Sequence, residues 1–104
     1  MTTSLLGKPF VDESNPLVAG TMGHLGTTAS GLVLSECDTL LIVGSNDPWT
    51  EFYPAPDQAR AIQIDIDPRV VGDRYPVDVA LVGDAAETLT ALLERIDAER
   101  LRPW

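Results

Sequence analysis

Two aspartates at the end of a predicted strand are the side chains most suited to contact a ligand. Residues 61–66 alternate β-branched and polar side chains with period two, which predicts a strand. Its apolar face would comprise Ile62, Ile64 and Ile66, and its polar face Gln63, Asp65 and Asp67. Pro68 would end the strand. A carboxylate at the carboxyl end of a parallel strand can hydrogen-bond a nucleotide ribose. The alternative is that both aspartates lie in a solvated turn.

A glycine-rich loop is the second candidate. Its glycines recur every third residue, at Gly20, Gly23 and Gly26. This spacing differs from the dinucleotide fingerprint, and no strand is predicted to lead straight into the loop. Glycine does let a backbone approach a ligand closely. Thr27 or Thr28 can cap a helix reaching about Glu36, whose positive end would suit a phosphate beside the loop. A flexible turn is the alternative.

The remaining reactive or aromatic side chains are interpreted as structural. His24 is predicted to be a loop or packing residue, not a base. Cys37 is interpreted as a small core residue, and no recognised metal spacing joins it to His24. Trp49, Phe52 and Tyr53 are predicted to pack over the sheet edge. A flat surface against a planar ligand is the other interpretation of these aromatics.

Strands and helices that alternate along the chain would position these residues. Strands are predicted over residues 2–6, 39–44, 61–66 and 77–82, and helices over residues 28–36 and from residue 85 to about Arg100. Residues 39–44 are apolar on both faces, which indicates a strand covered on both sides. Asp84 and Glu87 form a capping pair for the last helix. Its apolar stripe comprises Leu89, Leu92, Leu93 and Ile96. The predicted fold is α/β, a partial Rossmann-like parallel sheet flanked by helices.

Composition limits the possible functions. A chain of 104 residues is enough for one small domain, residues 1–104. The net charge of −9 argues against DNA, RNA or anionic membrane as partners. No apolar run approaches the roughly 20 residues of a membrane span, and there is no signal pattern. The single cysteine favours a cytoplasmic location.

The order of motifs over residues 7–97 resembles a known domain. The motifs are Asn15-Pro16, Gly20-Thr-Met-Gly23, Leu34-Ser-Glu-Cys-Asp38, Leu41-Ile-Val-Gly44, Ile64-Asp-Ile-Asp-Pro68 and Val82-Gly-Asp84. Together they resemble the second half or more of the central domain of thiamine diphosphate-dependent enzymes. Within that superfamily, Phe52-Tyr53-Pro54 followed by Ile62-Gln-Ile-Asp65 is most similar to pyruvate oxidases and quinone-dependent pyruvate dehydrogenases. Acetolactate synthases come next.

The resemblance implies a cofactor site. In the flavin-dependent members this domain binds FAD in an extended form, and the parent would be a flavoprotein oxidoreductase acting on pyruvate or another 2-oxo acid. By position, the residues along the flavin and phosphates would be Gly20, Thr21, Met22 and Gly23. Those following the cofactor past the strand edge would be Ser45, Asn46, Asp47, Pro48 and Trp49. Asp65 would approach the adenosine ribose. Decarboxylases of the superfamily keep the domain without a flavin, so the fold does not guarantee the cofactor.

The resemblance also implies what the chain does not carry. The pyrimidine and diphosphate domains, which hold thiamine diphosphate and Mg²⁺, have no counterpart here, and the match begins near Gly7. No residue is assigned as catalytic or as a metal ligand. We therefore expect a fragment that is inactive alone and has as partners the parent's other domains. We also expect a homo-oligomeric parent, and a chain that self-associates or is marginally stable. The alternatives are a cofactor-free structural domain and a stand-alone nucleotide-binding or interaction module.

Overall fold

The computed structural model describes residues 1–96 and consists of parallel strands with a helix on each side. In chain order the elements are β1 (Thr2–Thr3), β2 (Gly20–Thr21), α1 (Thr28–Glu36), β3 (Thr39–Val43), β4 (Arg60–Asp65), β5 (Val79–Val82) and α2 (Ala85–Leu93). Short 3₁₀ turns cover Lys8–Phe10 and Thr50–Phe52. The α/β class expected from the sequence is confirmed.

Two separate parallel sheets are present. The larger has the order β3-β4-β5, and the smaller pairs β1 with β2. In the larger sheet Leu41, Ile62 and Val79 are register partners, so their side chains lie on one face. All three strands run parallel, so the carboxyl ends of β3, β4 and β5 lie together at one edge of the sheet.

The main core lies between α1 and one face of the larger sheet. Its buried apolar residues are Leu34, Leu40, Ile42, Ala59, Ala61 and Tyr75, with Met22, Cys37, Tyr53 and Val77 partly buried against them. Thr27 caps α1 by accepting a hydrogen bond from the Ser30 backbone N–H at 3.1 Å. The buried Ser30 hydroxyl donates to the Thr21 carbonyl oxygen at 2.8 Å. These two bonds fix α1 against β2.

The predicted faces of β4 were wrong in two places. Gln63 is only 2% exposed, whereas Ile66 is 74% exposed. Both faces of β4 are covered, and the Gln63 amide bonds the Val70 carbonyl oxygen at 3.3 Å and the Gly72 N–H at 2.9 Å. A buried amide is stable when its polar atoms are paired in this way. Ile66 lies one residue beyond the end of the strand, where the alternation no longer applies.

Several boundaries also differ from the prediction. The first strand covers only Thr2–Thr3, and a strand that the sequence did not indicate, β2, leads straight into the glycine loop. Two-residue strands are too short to produce a periodic signal. Within β3, Leu41 is 43% exposed, so the face opposite α1 is only partly covered by residues 1–96.

The cap that Asp84 provides for α2 is confirmed, whereas the return bond from the Glu87 side chain is not seen within residues 1–96, and the predicted length of the helix was wrong. Asp84 Oδ1 accepts a hydrogen bond from the Glu87 N–H at 3.0 Å. The helix ends at Leu93, and the side chain of this residue is 71% exposed. Arg100, where the helix was predicted to end, lies outside the described residues.

Candidate cofactor site

The carboxyl ends of β3 and β4 form one edge of the candidate site. The Gly44 N–H donates to the Ile64 carbonyl oxygen at 2.8 Å, so the chain leaving β3 passes directly beside Asp65. Gly44 has φ +56°, and a Cβ there would meet nothing within 4 Å. This left-handed conformation favours glycine. It also leaves the backbone at the edge open to an approaching group.

Of the two aspartates, Asp65 is the one with carboxylate capacity left for a ligand. Its Oδ1 accepts the Asp67 N–H at 2.9 Å, and its Oδ2 makes no hydrogen bond within residues 1–96. Asp67 accepts the Arg69 N–H at 3.0 Å and forms an ion pair with the Arg69 guanidinium at 2.7 Å. The side-chain bond from Arg69, followed by its backbone N–H, lowers the pKa of Asp67. Asp67 therefore shapes the turn, as a solvated-turn residue would.

The glycine loop lies against the segment that follows β3. Gly23 has φ +95°, and a Cβ there would lie 3.1 Å from Trp49 Cδ1, so only glycine fits without a shift. Thr21 is 4% exposed and Met22 packs against the core. Their side chains point into the protein, which leaves the loop backbone as the part that can face a ligand.

A cleft of about 410 Å³ lies above the N-terminal turn of α1. Its walls include Gly23, His24, Thr27, Gly31 and Phe52. The cleft is shallow and open to solvent, so it would cover only one side of a bound ligand. The cleft combines backbone amides at a helix start with apolar and aromatic surface, which suits a ligand that has an anionic part and a planar part.

His24 and two aromatic rings form one rim of this cleft. The His24 ring meets Trp49 and Phe52 edge-on, with centroid distances of 4.9 Å and 5.0 Å. Its Nε2 lies 2.8 Å from Glu51 Oε1, which ties the glycine loop to the 3₁₀ turn. His24 is thus a loop and packing residue, as the sequence indicated. The same contacts place it at the cleft.

Tyr53 separates from the other two aromatics and joins the core. Its ring stacks on Tyr75 with a centroid distance of 6.1 Å. Burial, and then the charge of Asp47, raise the pKa of Tyr53, while the charge of Arg74 opposes this rise. Packing over the sheet edge therefore describes Tyr53, whereas Trp49 and Phe52 retain surface at the cleft.

The sequence-predicted residues fall into two groups joined by one segment. Of the glycine-loop residues, Gly23 lines the cleft and lies against Trp49, whereas Gly20 lies against Thr27, and Thr21 and Met22 face the interior. Ser45 and Asn46 follow Gly44, which is bonded to Ile64 next to Asp65. Asp47, Pro48 and Trp49 connect these places, and Asp47 Oδ1 accepts the Trp49 N–H at 3.1 Å to shape the connection.

Two residues of this region were not anticipated from the sequence. Arg74 donates through Nε to Asn46 Oδ1 at 3.0 Å across 28 positions of sequence. Gly31 lines the cleft from within α1, and a Cβ there would meet nothing within 4 Å. Glycine inside a helix is unfavourable by about 1 kcal/mol relative to alanine. That cost was the one signal in the sequence that could have identified Gly31.

Metal binding and thiol chemistry have little support among residues 1–96. No group of three or more His, Cys, Asp or Glu side chains in this range could hold a metal ion. Cys37 is half-buried, and burial raises the pKa of its thiol. No helix in the described range is long and apolar enough to cross a membrane.

The parallel strands with helices on both sides define a small α/β domain of the Rossmann-like type. The sequence model of the family "Thiamine pyrophosphate enzyme, central domain" matches residues 1–92. The chain therefore belongs to this family, as its motifs indicated. The match begins at residue 1, so the expected start near Gly7 was wrong and β1 is part of the domain.

Similar proteins support the same assignment. The chain is 35% identical over 102 residues to a putative thiamine pyrophosphate-containing protein, YdaP, of Bacillus subtilis, covering 98% of this chain. It is 38% identical over 104 residues to a probable acetolactate synthase large subunit of Methanocaldococcus jannaschii, covering 96%. It is 33% identical over 98 residues to pyruvate oxidase of Lactiplantibacillus plantarum, covering 93%. The chain spans only 17%, 17% and 16% of the lengths of these three relatives.

Proposed function

We propose that this chain is the FAD-binding central-domain part of a thiamine diphosphate-dependent enzyme that oxidises a 2-oxo acid, of the pyruvate oxidase type. The observation that carries the proposal is the path of residues 45–49. The segment begins beside Asp65, through the bond between Gly44 and Ile64, and ends at the cleft, against Gly23. An extended dinucleotide needs such a continuous edge between a ribose-binding carboxylate and a ring-binding pocket.

The residues present fit FAD in four respects. Asp65 Oδ2 is available to accept ribose hydroxyl groups. The start of α1, capped by Thr27, offers free backbone amides to polar atoms of the cofactor. Gly31 has no side chain, and no protein atom outside its own stretch of helix lies within 4 Å of the place where its Cβ would be. Trp49 and Phe52 add flat surface for a ring system.

In this proposal each part of the enzyme has a distinct task. Bound FAD would supply an acceptor for the electrons released when the 2-oxo acid is oxidised. Thiamine diphosphate and Mg²⁺ would be held by the parent's pyrimidine and diphosphate domains. The residues of this chain bind and orient: Asp65 holds the ribose, the glycine loop lets the cofactor approach, and the His24–Glu51 pair keeps the aromatic rim in place.

The test is an FAD titration of the 104-residue chain, followed by flavin fluorescence, for the wild type and Asp65→Asn. The asparagine keeps an oxygen for the Asp67 N–H but loses the charge that strengthens a ribose bond. We expect FAD affinity to fall by about one to two orders of magnitude. Asp67→Asn is the matched control, because the Asp67 oxygens are already occupied by Arg69. It should leave FAD affinity nearly unchanged.

Two results would contradict the proposal. Equal affinity in Asp65→Asn and the wild type would remove Asp65 from the site. A folded wild type, judged by circular dichroism, without saturable FAD binding would favour a cofactor-free central domain. The 38% identity to a probable acetolactate synthase supports a synthase, in place of an oxidase, as the alternative parent enzyme. Binding of ADP without FAD would instead favour a nucleotide-binding module.

A further inference from the structure

Arg74 stands out among the cations of the described chain. It lies in the connection between β4 and β5, and its Nε donates to Asn46 Oδ1 at 3.0 Å. Its other polar neighbour is Asp73, whose Oδ2 lies 3.5 Å from the same Nε. Neither Nη atom makes a hydrogen bond to residues 1–96. One side of the guanidinium is therefore anchored, while the other side keeps its donors for a ligand.

The backbone around Arg74 is held on both sides. Two residues earlier, the Gly72 N–H donates to the buried amide of Gln63 at 2.9 Å. The following residue, Tyr75, is 4% exposed, and its hydroxyl donates to the Ala55 carbonyl oxygen at 2.9 Å. With its own side chain 35% exposed, Arg74 is a fixed cation, unlike a freely moving surface arginine.

The positive charge of Arg74 matters because the surrounding edge of the sheet is acidic. The carboxyl edge carries several acids, namely Asp47, Asp65, Asp67 and Asp73. A diphosphate brought to this edge would be repelled unless a cation met it. Arg69, the other arginine of the β4–β5 connection, is 87% exposed and already bidentate on Asp67. Arg74 has the planar donor fork that matches phosphate oxygens and still has donors available.

We propose that Arg74 recognises the diphosphate of the nucleotide bound at this edge, a role that rests on the proposed function. Asn46 would hold the guanidinium through Nε while the Nη donors meet the phosphate oxygens. The ligand class follows from this geometry: a nucleoside diphosphate or a dinucleotide binds, and a nucleoside without phosphate gains nothing from Arg74.

The experiment compares ADP with adenosine by calorimetric titration of the 104-residue chain. In Arg74→Gln we expect ADP affinity to fall about 10- to 100-fold, with adenosine affinity unchanged. Arg74→Lys should recover part of the loss, because it restores the charge without the fork. Arg69→Gln is the matched control and should leave both affinities unchanged. Thermal melts of all variants check that the fold persists.

Each other outcome has a defined meaning. An equal loss for ADP and adenosine in Arg74→Gln would overturn the proposal and assign Arg74 to positioning Asn46 alone. An unchanged ADP affinity would overturn it as well. If the wild type binds ADP but not FAD, the proposal that the cofactor is FAD is contradicted. The comparison of ADP with adenosine in Arg74→Gln then still supports or overturns the role of Arg74. A wild type that binds neither ligand would overturn both.

Discussion

The two faces of the larger sheet are packed very differently. On the α1 face, Leu34, Leu40 and Ile42 are 5–8% exposed, and Ala61 is 0% exposed. On the opposite face, near α2, Ile64 is fully buried, but Leu41 and Val79 are each 43% exposed. One face of the same three strands is thus a closed core, and the other is an apolar surface that residues 1–96 cover only in part.

The difference shows that a strong hydrophobic pattern along a helix does not by itself mean that the helix is tightly packed. The apolar stripe of α2 follows helical spacing along its length, yet no residue of α2 is buried. Helix α1 has a less regular pattern, and it buries Leu34 and Ser30. Periodicity tells which side of a helix avoids water, whereas burial requires a partner surface of matching size. The exposed second face also gives a physical reason for the expected self-association.

The largest effect should come from truncating a buried leucine of α1, and the comparison is an exposed leucine of α2. Leu34→Ala removes a 5% exposed side chain from the closed core and should lower the free energy of unfolding by about 2–5 kcal/mol. Leu93→Ala is the matched change on α2, where the side chain is 71% exposed, and its effect should stay within about 0.5 kcal/mol. Urea unfolding followed by circular dichroism measures both. Similar losses would mean that α2 is packed as tightly as α1.

The helix caps give an intermediate effect. Thr27 caps α1 and also donates its hydroxyl to the Ala19 carbonyl oxygen at 2.6 Å, which ties the helix to the start of β2. Asp84 caps α2 through the single bond to Glu87. Thr27→Ala should therefore lower the free energy of unfolding by about 1–2 kcal/mol, and Asp84→Ala by about 1 kcal/mol.

Thr27→Ser is the control for this pair of caps, because it keeps the hydroxyl and should retain most of the stability. Thermal unfolding of the three variants under one buffer condition provides the measurement. A larger loss in Asp84→Ala than in Thr27→Ala would contradict the view that α1 is the better integrated helix.

The fold was predictable where the signal was local. The Asp84–Glu87 cap involves neighbours in sequence, and the β4 pattern marked a strand to within one residue. The burial of Gln63 was not predictable, because it depends on Val70 and Gly72 in a loop that has no periodic pattern. Ile66 was misassigned for a related reason: its exposure depends on where the strand ends, which hydrophobicity alone does not determine.

The residues of the candidate site were likewise predictable where the signal was local and unpredictable where it depends on contacts between distant segments. Asp65 could be named from its place at a strand end. Arg74 could not, since its significance arises from meeting Asn46, 28 positions away, across two loops. The rim formed by His24, Trp49 and Phe52 likewise brings together separate connections of the chain. Contacts between loops depend on the assembled sheet, so they become visible only in the folded structure.

The last predicted stability change is an increase, and it tests whether α1 is kept open toward the cleft. Gly31 lies within the helix and a Cβ there would meet nothing within 4 Å, so Gly31→Ala should raise the free energy of unfolding by about 0.8–1.0 kcal/mol. The same methyl group would enter the cleft and should weaken FAD binding. Gly44→Ala is the opposite control, because its φ of +56° should make alanine unfavourable by about 1–2 kcal/mol. A Gly31→Ala variant that is stabilised and binds FAD as tightly as the wild type would place the cofactor away from the α1 end of the cleft.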